Sequence, residues 1–422
     1  MQSTILSLLT IGALLVPISS PARCAGPATR QSIQDGSPES KPGSAPAAAM
    51  AEFDKLRIEG FDALYNLDYD SARQRFKRMV ELVPDHPAGY VCLANNLWLE
   101  TLNSGKRLSS SLYSSSSFYD QDKDSDAVDA KRDKEFNAYI KRALDASVGR
   151  LRKNSKDQDA LYYHGGALGL RAAYGASVAR SFARAIGDAN ESVSIQKEVI
   201  KIDPNYADAY LTVGLYSYVI DSLPRSQKWV VRLVGLKGSK AKGIEQLEMV
   251  VQKGKYAADD ARVVLMGVYT REGNFDRAVQ LASELGERYP RNYLFKLERA
   301  GLLFRLGRRA DADAAMAAIL KDERAARDAT DLVQQQWGEA LLRAGDYSAA
   351  VTHFAAVKRW PKSDSGLASL AYLNTGMALD AMGKRAEATP EYQEVLKRDN
   401  VYDSQKRATQ YLKTPYRVVA TK

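Results

Sequence analysis

Cysteine and histidine are scarce in this chain. Its 422 residues include only two cysteines, Cys24 and Cys92, and three histidines, His86, His164 and His353. Two cysteines cannot form a disulfide framework, so the fold must be stabilised by side-chain packing. The three histidines are too scattered to show the ligand spacing of a metal site. We therefore predict a protein without a bound metal or cofactor.

Catalytic motifs are also missing. No Gly-x-Ser-x-Gly sequence occurs, and the glycines at 238 and 243 are not followed by the Lys-Ser or Lys-Thr of a phosphate loop. Ser239-Lys240-Ala241-Lys242 is a Ser-x-x-Lys pattern, but no strand is predicted to present its partners. Alternating aspartates at 120–126 resemble a calcium loop, yet the sixth and twelfth positions are Ser125 and Lys131 instead of Gly and Glu. We predict that the protein is not an enzyme.

The first fifty residues are typical of an exported protein. Ile5 to Ile18 is almost entirely apolar, and this run is shorter than the roughly 18 residues that a membrane span needs. It fits the core of a secretion signal, predicted at residues 1–24 with cleavage after Cys24. Residues 25–50 are rich in Ala, Pro, Ser and Gly, which predicts a disordered linker. The expected location is the periplasm or cell envelope, and lipidation of Cys24 is an alternative to its removal.

The net charge is positive. The formal value is +9 at pH 7 and falls to +8 once Arg23 is removed with the signal segment. In an exported protein this charge does not indicate a nucleic-acid partner, and we predict none. Anionic lipid, an envelope polymer or an acidic protein could be attracted instead. The simpler interpretation is that excess Lys and Arg keep an elongated protein soluble.

Regularly spaced glycines dominate the second half of the chain. Gly273, Gly307, Gly345 and Gly383 each open a short turn, and they are separated by 34, 38 and 38 residues. A period near 34 residues is typical of stacked helix-turn-helix units. Each unit cannot bury its apolar face alone, so neighbouring units must stack into a solenoid. The pattern indicates an all-α fold and favours binding over catalysis.

Small and aromatic residues recur at fixed positions between these turns. The crossing of two helices explains why both residue types are needed. A small residue lets two helix backbones approach, and an aromatic residue fills the space beside it. In the first unit Gly60 and Phe76 have these roles, and Pro84 stops the second helix. We expect Ala278 and Ala350 to lie at equivalent crossings.

These positions resemble the tetratricopeptide repeat (TPR) family. The matching residues are Gly60, Tyr69, Ala72, Phe76, Pro84, Gly187, Asp188, Pro204, Gly214, Gly273, Phe275, Ala278, Pro290, Gly338, Gly345, Tyr347, Ala350, Phe354, Gly376, Gly383, Ala388 and Tyr392. The resemblance implies a right-handed superhelical solenoid of antiparallel helix pairs whose concave groove binds a protein or peptide. It covers residues 51–422, with about eight helix pairs, insertions near 104–126 and 220–238, and a capping helix at 403–412.

The resemblance also implies where a partner would bind, because the first helix of each pair lines the groove. The face opposite the core carries Asn95, Tyr162, Tyr218, Arg271, Arg305, Gln335, Glu339, Arg343 and Asn374. Gln335, Glu339 and Arg343 are four residues apart and stack along one helix face. The arginine could hold a carboxylate of an acidic peptide. The family's carboxylate clamp of Lys and Asn is not reproduced, and a solvated helix face is the alternative interpretation.

A basic apolar segment at 225–242 provides a second hypothesis. Leu215 to Val250 resembles part of the inclusion-body-clearance family of outer-membrane-associated TPR proteins. Within it, Trp229, Val231, Arg232 and Leu233 belong to a short apolar helix among basic residues. This helix could contact a membrane surface or a partner. It could equally pack against the solenoid, because clustered apolar side chains usually contact protein.

Overall fold

The computed structural model describes residues 47–108, 129–223 and 237–418, and all regular structure in these ranges is helical. The α-helices, in chain order, are α1 Ala47–Tyr65, α2 Tyr69–Leu82, α3 Pro87–Ser104, α4 Ala130–Lys153, α5 Gln158–Ser177, α6 Phe182–Ile202, α7 Tyr210–Ser222, α8 Lys240–Lys253, α9 Ala258–Glu272, α10 Phe275–Arg288, α11 Tyr293–Arg305, α12 Arg309–Ile319, α13 Glu323–Asp328, α14 Thr330–Arg343, α15 Tyr347–Arg359, α16 Ser365–Ala381, α17 Arg385–Val395 and α18 Ser404–Lys413. A single 3₁₀ turn, Ala207–Ala209, precedes α7.

Consecutive helices pack as antiparallel hairpins. The pairs are α1 with α2, α3 with α4, α5 with α6, α7 with α8, α9 with α10, α11 with α12, α14 with α15 and α16 with α17. The short helix α13 lies between the α11–α12 and α14–α15 hairpins, and α18 packs against α16 and α17 at the end of the array. The protein is an all-α solenoid of the TPR type, as the repeat pattern predicted.

The hairpin turns follow directly from their glycines. Gly273, Gly307, Gly345 and Gly383 have φ values of 78°, 73°, 82° and 73°. This left-handed conformation ends a helix and is strained for residues with a Cβ atom. In the first hairpin the same turn position is occupied by Leu67, at φ 61°. Leu67 is 4% exposed, so its side chain is needed in the interior despite the backbone strain.

Helix crossings pair a small residue with a large one. A Cβ atom added to Gly338 would lie 2.6 Å from the ring of Phe354, and one added to Gly376 would lie 2.5 Å from the ring of Tyr392. Each aromatic residue comes 16 positions after its glycine. Glycine is therefore required at these crossings because the ring occupies the volume of any side chain.

Two hairpins achieve the same fit with other residues. At the equivalent crossing, α9 has Met266 facing Ala282 of α10, and α11 has Ala300 facing Met316 of α12. In the α9–α10 hairpin the large residue, Met266, lies on the first helix. In the α11–α12 hairpin it stays on the second helix, as Met316 in place of an aromatic residue. Total volume is roughly conserved, which is what a close-packed crossing tolerates.

The expected small residues of the second helices are in the core. Ala278 and Ala350 both have 0% exposure, and each packs in the main hydrophobic cluster of its hairpin. Gly214 also lies at a crossing, because a Cβ atom there would be 3.0 Å from the carbonyl oxygen of Gly243. These three assignments from the repeat pattern are confirmed.

The Gly187-Asp188 pair, which matches the TPR family, lies inside the continuous helix α6. The connection between α5 and α6 lies earlier, at residues 178–181. Asp188 accepts two hydrogen bonds from Arg171 of α5, at 2.6 and 2.7 Å. A partly buried ion pair between the two helices accounts for this aspartate.

Three element boundaries also differ from the expectations. Helix α1 begins at Ala47, so residues 47–50 are helical although they were predicted as linker. Helix α7 continues to Ser222, so the first three residues of the predicted second insertion are helical. The capping helix α18 is Ser404–Lys413, one residue later than predicted. The described residues do not include 1–46, 109–128 and 224–236. These ranges contain the whole predicted signal segment and most of both predicted insertions.

The array closes on itself, which the repeat pattern did not predict. The turn after α1 packs on the inter-hairpin loops of the second half of the chain. Arg324 donates to the carbonyl oxygens of Asn66 and Leu67 at 2.8 and 2.5 Å. Asn292 donates to the carbonyl oxygen of Tyr65 at 2.7 Å. Leu67 belongs to the same buried cluster as Leu294 and Leu332. We call these contacts the closure interface.

A buried polar cluster continues this interface toward the start of α1. Arg57 is 5% exposed and its guanidinium lies 3.4 Å from the ring centroid of Tyr256. It also contacts Asp54 and the hydroxyl of Tyr163. These neighbours raise the pKa of Arg57 although burial opposes its charge. The guanidinium thus joins α1, α5 and the α8–α9 loop.

Candidate ligand-binding groove

Three arginines recur at one position of the repeat. Arg271, Arg305 and Arg343 each come two residues before the left-handed glycine of their hairpin, at the ends of α9, α11 and α14. The fourth equivalent residue, at the end of α16, is Ala381. Because equivalent residues of successive hairpins share one face of a solenoid, these side chains form a line, which we call the arginine row.

The guanidiniums of the row have few acidic partners. Arg343 has a side chain that is 56% exposed, and its contact with Glu339 is 4.0 Å long. Arg305 is exposed and lies 5.7 Å from the ring centroid of Phe275. Arg271 donates to the carbonyl oxygen of Ser222 at 3.0 Å. Across the described parts of the chain, no carboxylate forms an ion pair with Arg305.

The electrostatic state of Arg305 reflects this shortage of negative charge. Partial burial and the positive charge of Arg343 both lower the pKa of Arg305. Arg305 remains protonated at every physiological pH, because its ordinary pKa is above 12. Two like charges therefore face each other across neighbouring first helices, and a bound anion would reduce their repulsion.

Glycines lie beside two members of the row. Gly267 and Gly301 come four residues before Arg271 and Arg305, so each lies one helical turn away on the same face. A Cβ atom added to either glycine would meet no atom within 4 Å. Glu339 has the same position before Arg343. The surface next to Arg271 and Arg305 is therefore open backbone, which a ligand can approach closely.

The polar series predicted on α14 exists but is largely satisfied internally. Gln335 donates to Glu339 at 2.9 Å, and Asn374 of α16 donates to the same carboxylate oxygen at 3.5 Å. Gln335 is 2% exposed and Asn374 is 7% exposed. Gln335 lies one turn after Leu332, which the closure interface covers. Glu339 and Arg343 stay accessible, and the expectation that Gln335 and Asn374 contact a ligand is corrected.

The tyrosines named as groove residues have structural contacts. Tyr218 has 0% exposure, and its hydroxyl donates to Glu272 at 2.7 Å, so its ring cannot contact a ligand. Burial raises the pKa of Tyr162 well above its ordinary value, and its ring packs 5.1 Å from that of Tyr206. Asn95 is half-buried on α3, and the structure does not place it with the arginine row.

The predicted membrane or partner helix falls outside the described residues. Its named members are Trp229, Val231, Arg232 and Leu233. Among the helices that the structure describes, none combines the length and the apolar character needed to cross a bilayer. In the same ranges, no three His, Cys, Asp or Glu side chains cluster in a way that could hold a metal ion.

A separate crevice lies where α3 meets α16. Its volume is about 430 Å³, and its lining includes Lys106, Arg132, Asp364 and Asp399. The acidic groups there already have partners. Asp364 accepts from the backbone N–H of Gly366 at 2.9 Å, and Asp399 accepts from the hydroxyl of Ser365 at 2.7 Å. The crevice is less suited to a charged ligand than the arginine row.

Sequence reasoning named all three arginines but missed the two glycines beside them. The signal was present, because Gly267 and Gly301 are 34 residues apart, as Arg271 and Arg305 are. Only the structure shows that the space above both glycines is open.

Comparisons with known proteins show distant likenesses. No protein-family model matches the sequence, and a search of curated proteins gives no match. Among solved structures, a tetratricopeptide repeat protein from Parabacteroides merdae is 15% identical, with a TM-score of 0.32, and the match covers 77% of this chain and 99% of that one. Yeast Tom70 is 12% identical, with a TM-score of 0.39 and coverage of 87% and 95%. Human IFIT1, in a dimer with PPP-AAAA, is 12% identical, with a TM-score of 0.42 and coverage of 86% and 84%. These values support no inference about partner or activity.

Proposed function

We propose that this protein is an exported, non-enzymatic scaffold at the cell envelope that holds a segment of a protein partner in its groove. The binding surface is formed by Arg271, Arg305 and Arg343 together with the open positions at Gly267 and Gly301. The observation that carries the proposal is the exposed charge of Arg305, which has no carboxylate partner among the described residues, together with the open positions at Gly267 and Gly301 on the same face of the solenoid.

Export is part of the proposal and rests on the apolar run from Ile5 to Ile18. The alternative is a peripheral membrane protein anchored by residues 225–242. That alternative depends mostly on residues outside the described ranges and stays a prediction.

Filling the groove without changing its charge tests the proposal. The double variant Gly267→Leu/Gly301→Leu places two side chains into open space, so the fold is expected to be retained. We expect proteins that co-purify with the wild-type chain from envelope fractions to be lost. Helicity measured by circular dichroism should not change.

A matched control uses a glycine far from the groove. Gly149 on α4 also has no atom within 4 Å of an added Cβ atom, so Gly149→Leu adds the same side chain to another surface. It should leave the captured proteins unchanged. An identical set of captured proteins for the groove double variant would contradict the proposal.

A further inference from the structure

Resting on the proposed function, we infer the chemistry of the segment that the groove takes. The structure assigns to the arginine row an extended acidic peptide whose carboxylates recur at about every third residue, one for each arginine. This assignment concerns the spacing of the peptide's carboxylate side chains along the solenoid axis. A free chain terminus of the peptide is not required.

The spacing follows from the stacking of the hairpins. Helices in contact lie about 8–10 Å apart. The first helices α11 and α14 contact each other, and Arg305 reaches the ring of Phe275 in the preceding hairpin. Equivalent guanidiniums should therefore be separated by roughly this distance. A peptide in the polyproline II conformation advances about 3.1 Å per residue with three residues per turn, so every third side chain faces the row and three residues match one step.

The charge balance of the groove favours an anion of low charge density. Arg305 has no ion-pair partner among the described residues and faces the like charge of Arg343. A carboxylate placed between them would reduce this repulsion and accept hydrogen bonds in the fork geometry of arginine. Glu339, however, contributes a negative charge next to Arg343. A nucleic-acid strand, with a phosphate at about every 3.4 Å, would place further charges against that glutamate.

The open glycines favour an extended backbone over a helix. At Gly267 and Gly301 a peptide main chain can lie directly on the helix surface, because no side chain separates the two. A helical ligand, about 10 Å in diameter, would hold its own backbone away from this surface and gain nothing from the glycines. The row and the glycines therefore indicate the same ligand conformation.

Fluorescence anisotropy with labelled synthetic peptides tests the inference on the full chain. The first peptide carries glutamate at every third position with serine elsewhere. The second has the same composition with its glutamates adjacent, and a short oligothymidine is the third probe. We expect the first peptide to bind most tightly. Arg305→Gln and Arg343→Gln should each weaken its binding about 2- to 5-fold, the range expected for a partly exposed charge pair.

Arg308→Gln is the matched control, since Arg308 is exposed, lies three residues from Arg305 and pairs with Asp311 at 2.8 Å. It should change the affinity less than twofold. Equal weakening by Arg305→Gln and Arg308→Gln, tighter binding of the clustered peptide or of the oligothymidine, or no binding of the spaced peptide would each overturn the inference. If Gly267→Leu/Gly301→Leu abolishes partner capture while the arginine variants do not, the groove function stands and only the acidic spacing fails.

Discussion

At the scale of single residues, two aspartates that link hairpins have opposite environments. The hydroxyl of Tyr65 donates to the carboxylate of Asp260, and burial raises the pKa of Asp260 to about 6. At Asp159 the imidazole of His86, 3.8 Å from the carboxylate, and a hydrogen bond from the hydroxyl of Tyr206 outweigh burial and lower the pKa to about 2. Both groups join different hairpins, so the stability of the packed array depends on their charge.

Asp260→Asn should stabilise the protein at neutral pH. The native state binds the proton of Asp260 more tightly than the unfolded state, so this contribution is complete below about pH 4 and is lost as the pH rises through about 6. Asparagine keeps the acceptor for Tyr65 and carries no charge. We expect a gain of about 1–3 kcal/mol in the free energy of unfolding at pH 7.5 and almost none at pH 4, from urea titrations.

Asp159→Asn is the control, because it should change the free energy of unfolding in the opposite direction. Its lowered pKa means that the ionised form stabilises the native state above about pH 4, and that this contribution is lost as the pH falls toward 2. The variant should therefore be less stable than the wild-type chain at neutral pH. A wild-type protein more stable than Asp260→Asn at pH 7.5 would show that the ionised Asp260 has a partner able to compensate its burial.

At the scale of helices and hairpins, local rules explain most of the structure. Asn274 and Asp346 follow left-handed glycines and cap α10 and α15 by accepting from backbone N–H groups at 3.3 and 3.2 Å. Gly338 and Gly376 are required by aromatic rings in the partner helix. These signals act over a few turns, so they could be recognised in the sequence. A Gly-Asp pair can also lie inside a helix, as at Gly187 in α6, where Asp188 pairs with Arg171.

Two alanines of α12 test the crossing rule within one helix. Ala312 has 0% exposure at the crossing with α11, whereas Ala314 is exposed on the same helix. Ala312→Leu should overpack the crossing and destabilise the protein by about 1–3 kcal/mol. Ala314→Leu should be close to neutral, because leucine and alanine have similar helix propensities. Denaturant titrations of both variants provide the comparison, and equal stabilities would mean that the α11–α12 crossing is looser than described.

At the scale of the whole molecule, the decisive feature is the closure interface. Tyr65 stacks on Tyr289 with ring centroids 4.8 Å apart, and the backbone N–H of Arg291 donates to Asn66 at 3.2 Å. The first hairpin thereby covers the early turns of α11 and α14 and leaves their last turns open. This is why Gln335 is buried and Arg343 is exposed on the same helix face. The usable groove is shorter than an open solenoid would present.

Weakening the interface should open the molecule without unfolding it. In Leu67→Gly/Arg324→Ala, glycine accepts the left-handed turn while the buried leucine and two hydrogen bonds are lost. The summed loss is about 3–4 kcal/mol of interface stability. We expect a larger radius of gyration in small-angle X-ray scattering with unchanged helicity.

Arg327→Ala is the control for this experiment, because Arg327 is exposed and pairs only with its neighbour Asp328 among the described residues, at 3.0 Å. It should leave the radius of gyration unchanged. A compact double variant would show that the remaining contacts, such as Arg57 with Tyr256, are sufficient to hold the ends together.

The sequence by itself determined the hairpins, their turns, their small crossing residues and the recurrence of the three arginines. Each of these depends on residues close in the chain or on a fixed repeat spacing, so composition and period reveal them. Only the tertiary structure decided which predicted groove residues are accessible. Tyr218 is buried against Glu272 of the next hairpin, and the closure contacts join Asn66 and Leu67 to residues more than 200 positions later, through single hydrogen bonds and ring contacts that follow no period. Such pairings depend on the accumulated curvature of the whole array, which no local pattern encodes.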